Sequence, residues 1–282
     1  MESDGQQKSL GENKSFTLRP LENADVATCA HIAGEAFKKD RHTQLKTRCP
    51  ENPYDHEEGM KGAFAHWLSR PSGTIEGTVA VDQTSGQVVG WIVWGFRGFD
   101  DDASRQGKVE ENPEEKVEEK TKDEVKDKVE VEKEQIEPDT APPTESTPPV
   151  KKRTRASLEE YTSADLQTWM KRLMPPGTKC MFICSIAVHP SYEGHGIGTQ
   201  LMAQGTTKAD AEGVKCWVHA SEAGAQIFET CGFEQVGSLA LDLDAWNVDN
   251  IVPPEGDGAK WGIYTFRYMV RPARKRESML VS

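Results

Sequence analysis

Three glycines occupy alternate positions in Glu193-Gly-His-Gly-Ile-Gly-Thr199. Ahead of them an apolar, β-favouring run, Cys180–Val188, ends at His189-Pro190. From Gly198 onward Leu201, Met202 and Gly205 recur at near-helical spacing. A strand, a glycine loop and a helix in that order gather free backbone N–H groups and a helix N-terminus around one point, an arrangement suited to phosphate. Glycine fits the loop because the backbone must approach the anion closely and adopt positive φ. The spacing excludes two common phosphate sites. A dinucleotide fingerprint needs a third glycine three residues after the second, but Gly194-x-Gly196 leads to Thr199 and Gly196-x-Gly198 to Leu201. A nucleotide P-loop ends in Gly-Lys-Ser/Thr, which this loop does not contain. A phosphorylated cofactor of another kind is implied.

Gly-His-Gly-Ile-Gly preceded by Val188-x-Pro190-x-Tyr192 resembles the acyl-CoA site of the GNAT superfamily of N-acetyltransferases. A second segment, Ser221 to Phe233, reads as a helix with Ser221 at its N-cap and Gly232 at the left-handed C′ position. It is similar to the GNAT helix that carries Leu-Tyr-x-x-x-Gly-Phe. The resemblance spans roughly Ser15 to Asp100 and Leu158 to Arg271, and its motifs are specific between about Met181 and Phe233. It implies an α/β fold with a mixed central sheet flanked by helices, and acetyl-CoA as co-substrate. It further implies that the backbone of Ile186, Ala187 and Val188 pairs with the pantetheine arm. The N–H groups from Glu193 through Gly194, His195, Gly196, Ile197 and Gly198 to Thr199 would cradle the pyrophosphate, with Ser221 and Phe228 also against the cofactor. The implied reaction is acetyl transfer to a primary amine by direct attack on the thioester, with a small molecule as the acceptor. A protein lysine or N-terminal amine is the alternative acceptor. A noncatalytic acyl-CoA-binding scaffold is the alternative from a different class.

Two positions depart from the family pattern. Glu193 stands where Gln or Arg is usual, so its carboxylate must point to solvent, and His195 could partly offset its charge. Phe228 stands where many members carry the Tyr that protonates the leaving thiolate, and phenylalanine has no proton to give. Solvent, Ser221 or a different residue is left for that role. The general base is equally open: Met181 to Ser185 offers no carboxylate or imidazole, leaving Glu35, Asp40, His56 and His219 as candidates. Trp91, Trp94, Trp246 and Trp261 could wall an acceptor pocket, although core packing explains each as well.

These residues require a set of elements to position them. The pattern predicts a strand at Phe16 to Pro20, a helix over Ala24–Lys39 and a second helix from about Glu57 to Leu68. Antiparallel strands follow at Thr74–Val81 and Gln87–Phe96, turned by Asp82 to Gly86. A helix from Leu158 to about Met174, the cofactor strand, a strand at Lys215–His219 and two late strands, Val236–Leu243 and Gly262–Val270, complete the domain. Of the net charge of −12, half lies between Lys108 and Glu137, which holds thirteen acidic and seven basic residues. The stretch 101–155 is rich in Lys and Glu, then Pro and Thr, and reads as a flexible or solvated insertion in a domain of 15–271. Residues 1–14 read as a loose N-terminus and 272–282 as a basic tail. The six cysteines have no zinc-type or Cys-x-x-Cys spacing, so reduced thiols in cytoplasm or nucleus are expected and no metal site. No apolar run reaches membrane-spanning length, and neither membrane nor nucleic acid is expected as a partner.

Overall fold

The computed structural model describes residues 15–99 and 153–274. The expected loose N-terminus, most of the expected insertion and most of the expected basic tail lie outside the described residues. The chain begins with β1 (Phe16–Pro20), a 3₁₀ turn at Asn23–Asp25, and helices α1 (Val26–Phe37), α2 (Arg41–Thr47) and α3 (His56–Leu68). Strands β2 (Ile75–Asp82) and β3 (Val88–Arg97) form the expected hairpin. Helix α4 (Arg155–Leu173) starts at Arg155, inside the expected insertion, because Thr154 and Ser157 form a reciprocal capping box there. Then come β4 (Cys180–Val188), α5 (Ile197–Glu212), β5 (Cys216–Ala220), α6 (Glu222–Thr230), β6 (Glu234–Asp242), the short α7 (Leu243–Trp246) and β7 (Ile263–Arg271).

The seven strands form one sheet in the order β1-β2-β3-β4-β5-β7-β6. All neighbours are antiparallel except β4 and β5. That single parallel pair needs a crossover, and α5 supplies it. One face of the sheet is covered by α5 and α6, whose Leu201, Met202 and Phe228 pack with Trp94, Met181, Val218 and Met269. The other is covered by α1 and α3, where Cys29, Ala33 and Phe64 meet Val79, Trp91 and Val93. At the β6–β7 end Leu45 and Leu158 join Leu241, Trp261 and Tyr264.

The sequence reading expects two helices between the first strands; three form. The extra helix, α2, is only seven residues long and is started by Asp40, whose side chain accepts from Thr43 N–H. The tryptophans do not wall one pocket. Trp91 and Trp94 lie in the cores on opposite faces of the sheet, and Trp246 and Trp261 belong to the third cluster. Trp91 is fixed by its indole N–H bonding Cys29 O at 2.9 Å.

Candidate active site

The site begins with a bulge. Val93 pairs with Ser185 and Trp94 with Ile183, so Cys184 is an extra residue in β4 with no opposite number on β3. The extra residue reverses which groups face which neighbour. Before it, Met181 N–H donates to Lys215 O at 3.0 Å, towards β5. After it, His189 N–H donates to Val89 O at 2.9 Å, towards β3. Without the bulge both odd-numbered residues would face the same side. Ala187 also faces β3, since a Cβ on Gly90 would lie 3.2 Å from its carbonyl oxygen. By alternation, Ile186 and Val188 turn their N–H and C=O groups away from β3, towards the side of β5.

On that side the ladder has already ended. β4 pairs with β5 only through Met181–Cys216, Phe182–Trp217 and Ile183–Val218. Beyond Ile183 the two strands part, and a gap opens along four or five residues of β4, roughly 13–16 Å at strand rise. Its polar edge is the backbone of Ile186 and Val188. Its far end is the glycine loop.

Gly194 and Gly196 adopt φ of +77° and +76°, so the loop uses glycine for its backbone, and a Cβ on either would meet no protein atom within 4 Å. Gly196 is the N-cap of α5 and has no side chain with which to cap it. The first return bond of the helix is Gln200 N–H to Gly196 O at 3.0 Å. The N–H groups of Ile197, Gly198 and Thr199 therefore lack intrahelical partners at the positive end of a sixteen-residue helix. Gly198 serves a different purpose. Its φ is ordinary for a helix, and a Cβ there would come within 2.9 Å of Ile227 Cδ1 on α6. Tyr192 anchors the loop to the β2–β3 turn, its hydroxyl donating to Asp82 Oδ2 at 2.9 Å. Glu193 is exposed, as its departure from the family pattern requires. His195 turns Nδ1 to its own loop, 3.0 Å from Glu193 O and 3.3 Å from Tyr192 O. Both are acceptors, so that nitrogen carries the proton.

Ser221 caps α6, its Oγ accepting from Gly224 N–H at 3.2 Å, which leaves its own O–H proton for another acceptor. Phe228 is 3% exposed and meets Phe233 edge-on with ring centroids 5.6 Å apart. Among the candidate bases, Glu35 sits in the last turn of α1, paired with Lys38 Nζ at 3.2 Å. Asp40 is committed twice, through Oδ1 to Thr43 N–H and through Oδ2 to the Tyr264 hydroxyl at 2.6 Å. His56 opens α3 against Phe37 and Tyr54, and burial pulls its pKa down to about 4. His219 stacks on Tyr268, the rings 4.7 Å apart and 15° from parallel, and burial lowers its pKa to about 4 as well.

His42 joins them, a residue that the sequence reading passed over because α2 carries no apolar periodicity; the Asp40-x-x-Thr43 cap was the available signal. His42 is 7% exposed and packs 5.1 Å from Phe266, the ring that also lies 4.5 Å from His219. Burial, reinforced by the nearby Lys46 ammonium, pulls its pKa down to about 3.

A family profile described as "Acetyltransferase (GNAT) family" matches residues 162–233, from within α4 through β4 and the glycine loop to just beyond α6. A search of curated protein sequences returned no match. Among solved structures, the chain is similar to arylalkylamine N-acetyltransferase like 5b of mosquito, with 13% identity, a TM-score of 0.50, and 92% of this chain and 100% of that one covered. It is similar in the same degree to polyamine N-acetyltransferase of Drosophila melanogaster, at 12% identity, a TM-score of 0.50 and the same coverage. These likenesses establish the fold, and the profile match falls on the segment that builds the gap and its loop. Residues 162–233 thus match the GNAT acetyltransferase family in sequence, and the chain is similar in fold to solved N-acetyltransferases.

Proposed function

We propose that the protein transfers the acetyl group of acetyl-CoA to the primary amine of a small molecule. The observation that carries this reading is the gap between β4 and β5, edged by the free backbone of Ile186 and Val188 and ending at the glycine loop. Pantetheine would add to β4 as a short strand. The N–H groups from Glu193 to Thr199 would take the pyrophosphate, and Ser221 would flank the acetyl end. The chemistry then needs little from side chains. An N–H of β4 polarises the thioester carbonyl, the neutral amine attacks, and the thiolate leaves. Phe228 supplies no proton, so Ser221 or solvent protonates the sulfur.

The two solved relatives are named for an arylalkylamine and a polyamine, which supports a small amine over a protein as acceptor. Among the described residues no helix is long and apolar enough to cross a membrane. All six cysteines are unpaired thiols, which supports a reducing compartment such as the cytoplasm.

Calorimetry with acetyl-CoA, followed by thiol release on a panel of amines, tests this function. Gly196→Val should weaken acetyl-CoA binding tenfold or more, about 1.4 kcal/mol. Unchanged affinity in a folded variant would remove the assignment of the loop. Tight binding with no thiol release on any amine would instead identify an acyl-CoA-binding scaffold.

A further inference from the structure

The bulged strand fixes where the acetyl group would lie. With the pyrophosphate at the glycine loop, the pantetheine arm runs back along β4 from Val188 towards the point where the gap closes. That point is the Ile183–Val218 pair. The next residue on β5 is His219. Val218 and Ala220, its neighbours, face the core under α5 and α6, so the imidazole stands on the opposite face of the sheet. Cys184, beside the closed end of the gap, packs on that same face, against the α1–α3 core. His219 therefore places an imidazole beside the predicted thioester.

Its surroundings are unusual for a core. The Nε2 atoms of His42 and His219 and both ring nitrogens of His56 are buried and have no hydrogen-bond partner among the described residues. Leaving a buried polar group unpaired is costly, so three such rings on neighbouring elements argue for a ligand that completes them. His42 and His219 both rest on the half-buried ring of Phe266. His219 is held flat by a three-ring stack in which Tyr268 lies between it and Trp169 of α4. Among the described residues no group of three or more His, Cys, Asp or Glu converges to hold a metal ion.

We propose that His219 Nε2 receives the proton of the acceptor amine, and that His42 and Phe266 shape the adjoining pocket for an aromatic primary monoamine. This rests on the acetyl-CoA reading above and names the acceptor side of the same site. The amine nitrogen bonds to the thioester carbon, and its proton passes to Nε2 as the tetrahedral adduct forms. The C–S bond then breaks, the sulfur keeps the electron pair and takes a proton from Ser221 or water, and the imidazolium's proton is returned through solvent to that donor. An imidazole held neutral by burial is too weak a base for a free alkylammonium. It suffices for the adduct, whose positively charged nitrogen is far more acidic.

The carboxylates nearby are already committed to other partners, which leaves none placed for a second ammonium. Asp40 is held by Tyr264 and Thr43, and Glu222 by Arg41 and Thr265 N–H. Glu159 faces Lys46 and Arg155, and Asp165 holds the Tyr268 hydroxyl. Lys46, whose side chain is only 13% exposed, adds positive charge. An aromatic body can instead lie against Phe266.

His219→Phe keeps the stack on Tyr268 and removes the proton acceptor. Thiol release by this variant should fall 100-fold or more, with acetyl-CoA affinity by calorimetry unchanged. Turnover within threefold of the parent in a variant that binds acetyl-CoA would overturn the assignment. If the parent itself fails to bind acetyl-CoA, the cofactor reading falls first and this inference with it. The pocket is tested on the unaltered protein. The kcat/KM for 2-phenylethylamine should exceed that for 1,4-diaminobutane at least tenfold, and the reverse order would refute an aromatic monoamine.

Discussion

Gly196 and Gly198 look equivalent in the sequence and are not. Gly196 needs its glycine for a left-handed backbone, and a new Cβ would point into open space. Its replacement by Ala should cost about 1–2 kcal/mol of conformational strain. Gly198 has ordinary helical geometry, and its Cβ would press only the end of Ile227. Gly198→Ala should therefore be restored to the parent's stability by Ile227→Val, whereas Gly196→Ala should not. Urea unfolding of the four variants separates the two mechanisms, and rescue of Gly196→Ala by Ile227→Val would contradict the assignment. Phe228 poses a similar question. Its ring is sealed against Phe233, so Phe228→Tyr should place an unpaired hydroxyl in the core at about 1–3 kcal/mol. A lower melting temperature without faster turnover is expected; a stable, faster enzyme would show that the ring edge faces the thioester instead.

At the scale of elements, α4 does more than bridge β3 and β4. Trp169 extends the stack Tyr268–His219, and it lies so closely over Gly237 of β6 that any Cβ there would overlap the indole. Gly237→Ala should displace Trp169 and loosen His219 without touching the glycine loop. Turnover should drop about tenfold or more while acetyl-CoA affinity holds, and an unchanged kcat in a variant whose tryptophan fluorescence shows the displacement would break the link. Much of this level was readable from the sequence. β4 occupies Cys180–Val188 as its apolar run predicts, and Ser221 and Gly232 cap α6 where their chemistry places them. The bulge at Cys184 was not readable, because an extra residue in a strand is defined by its partner's register and leaves no local mark. Helix α2 escaped for a related reason. It is held by contacts distant in sequence, Asp40 to Tyr264 and Arg41 to Trp261 O, Ile263 O and Glu222, and not by its own periodicity. His42 was missed with it, so the loop that would hold the cofactor was legible and the acceptor side was not.

Across the whole molecule, the buried histidines and the paired aspartates divide the pH scale between them. His42, His56 and His219 fall from the ordinary 6.5 to about 3, 4 and 4 in the folded protein, chiefly through burial. Unfolded, each takes up a proton as pH drops below 6.5; folded, each resists until about 4 or 3. Their contribution is therefore complete above 6.5 and is lost as pH falls from 6.5 towards 4. In that window each contributes a slope of about 1.4 kcal/mol per pH unit, and a fall from 6.5 to 4 is worth roughly 3 kcal/mol. Asp25 and Asp210 act lower on the scale. The guanidinium of Arg19 holds the first below its ordinary 3.8, and that of Arg271 the second. Their contribution is present above 3.8 and goes only as pH falls further. Unfolding free energy measured in urea should thus be level from pH 8 to 7 and decline steeply between 6.5 and 4. His42→Leu removes one titrating group at the most buried of the three sites and should make that decline shallower by about 1.4 kcal/mol per pH unit, from 6.5 down to about 3. A decline of unchanged steepness in the variant would mean that His42 is protonated in the folded protein, and a pocket lined by an imidazolium could not receive an amine's proton or tolerate its charge.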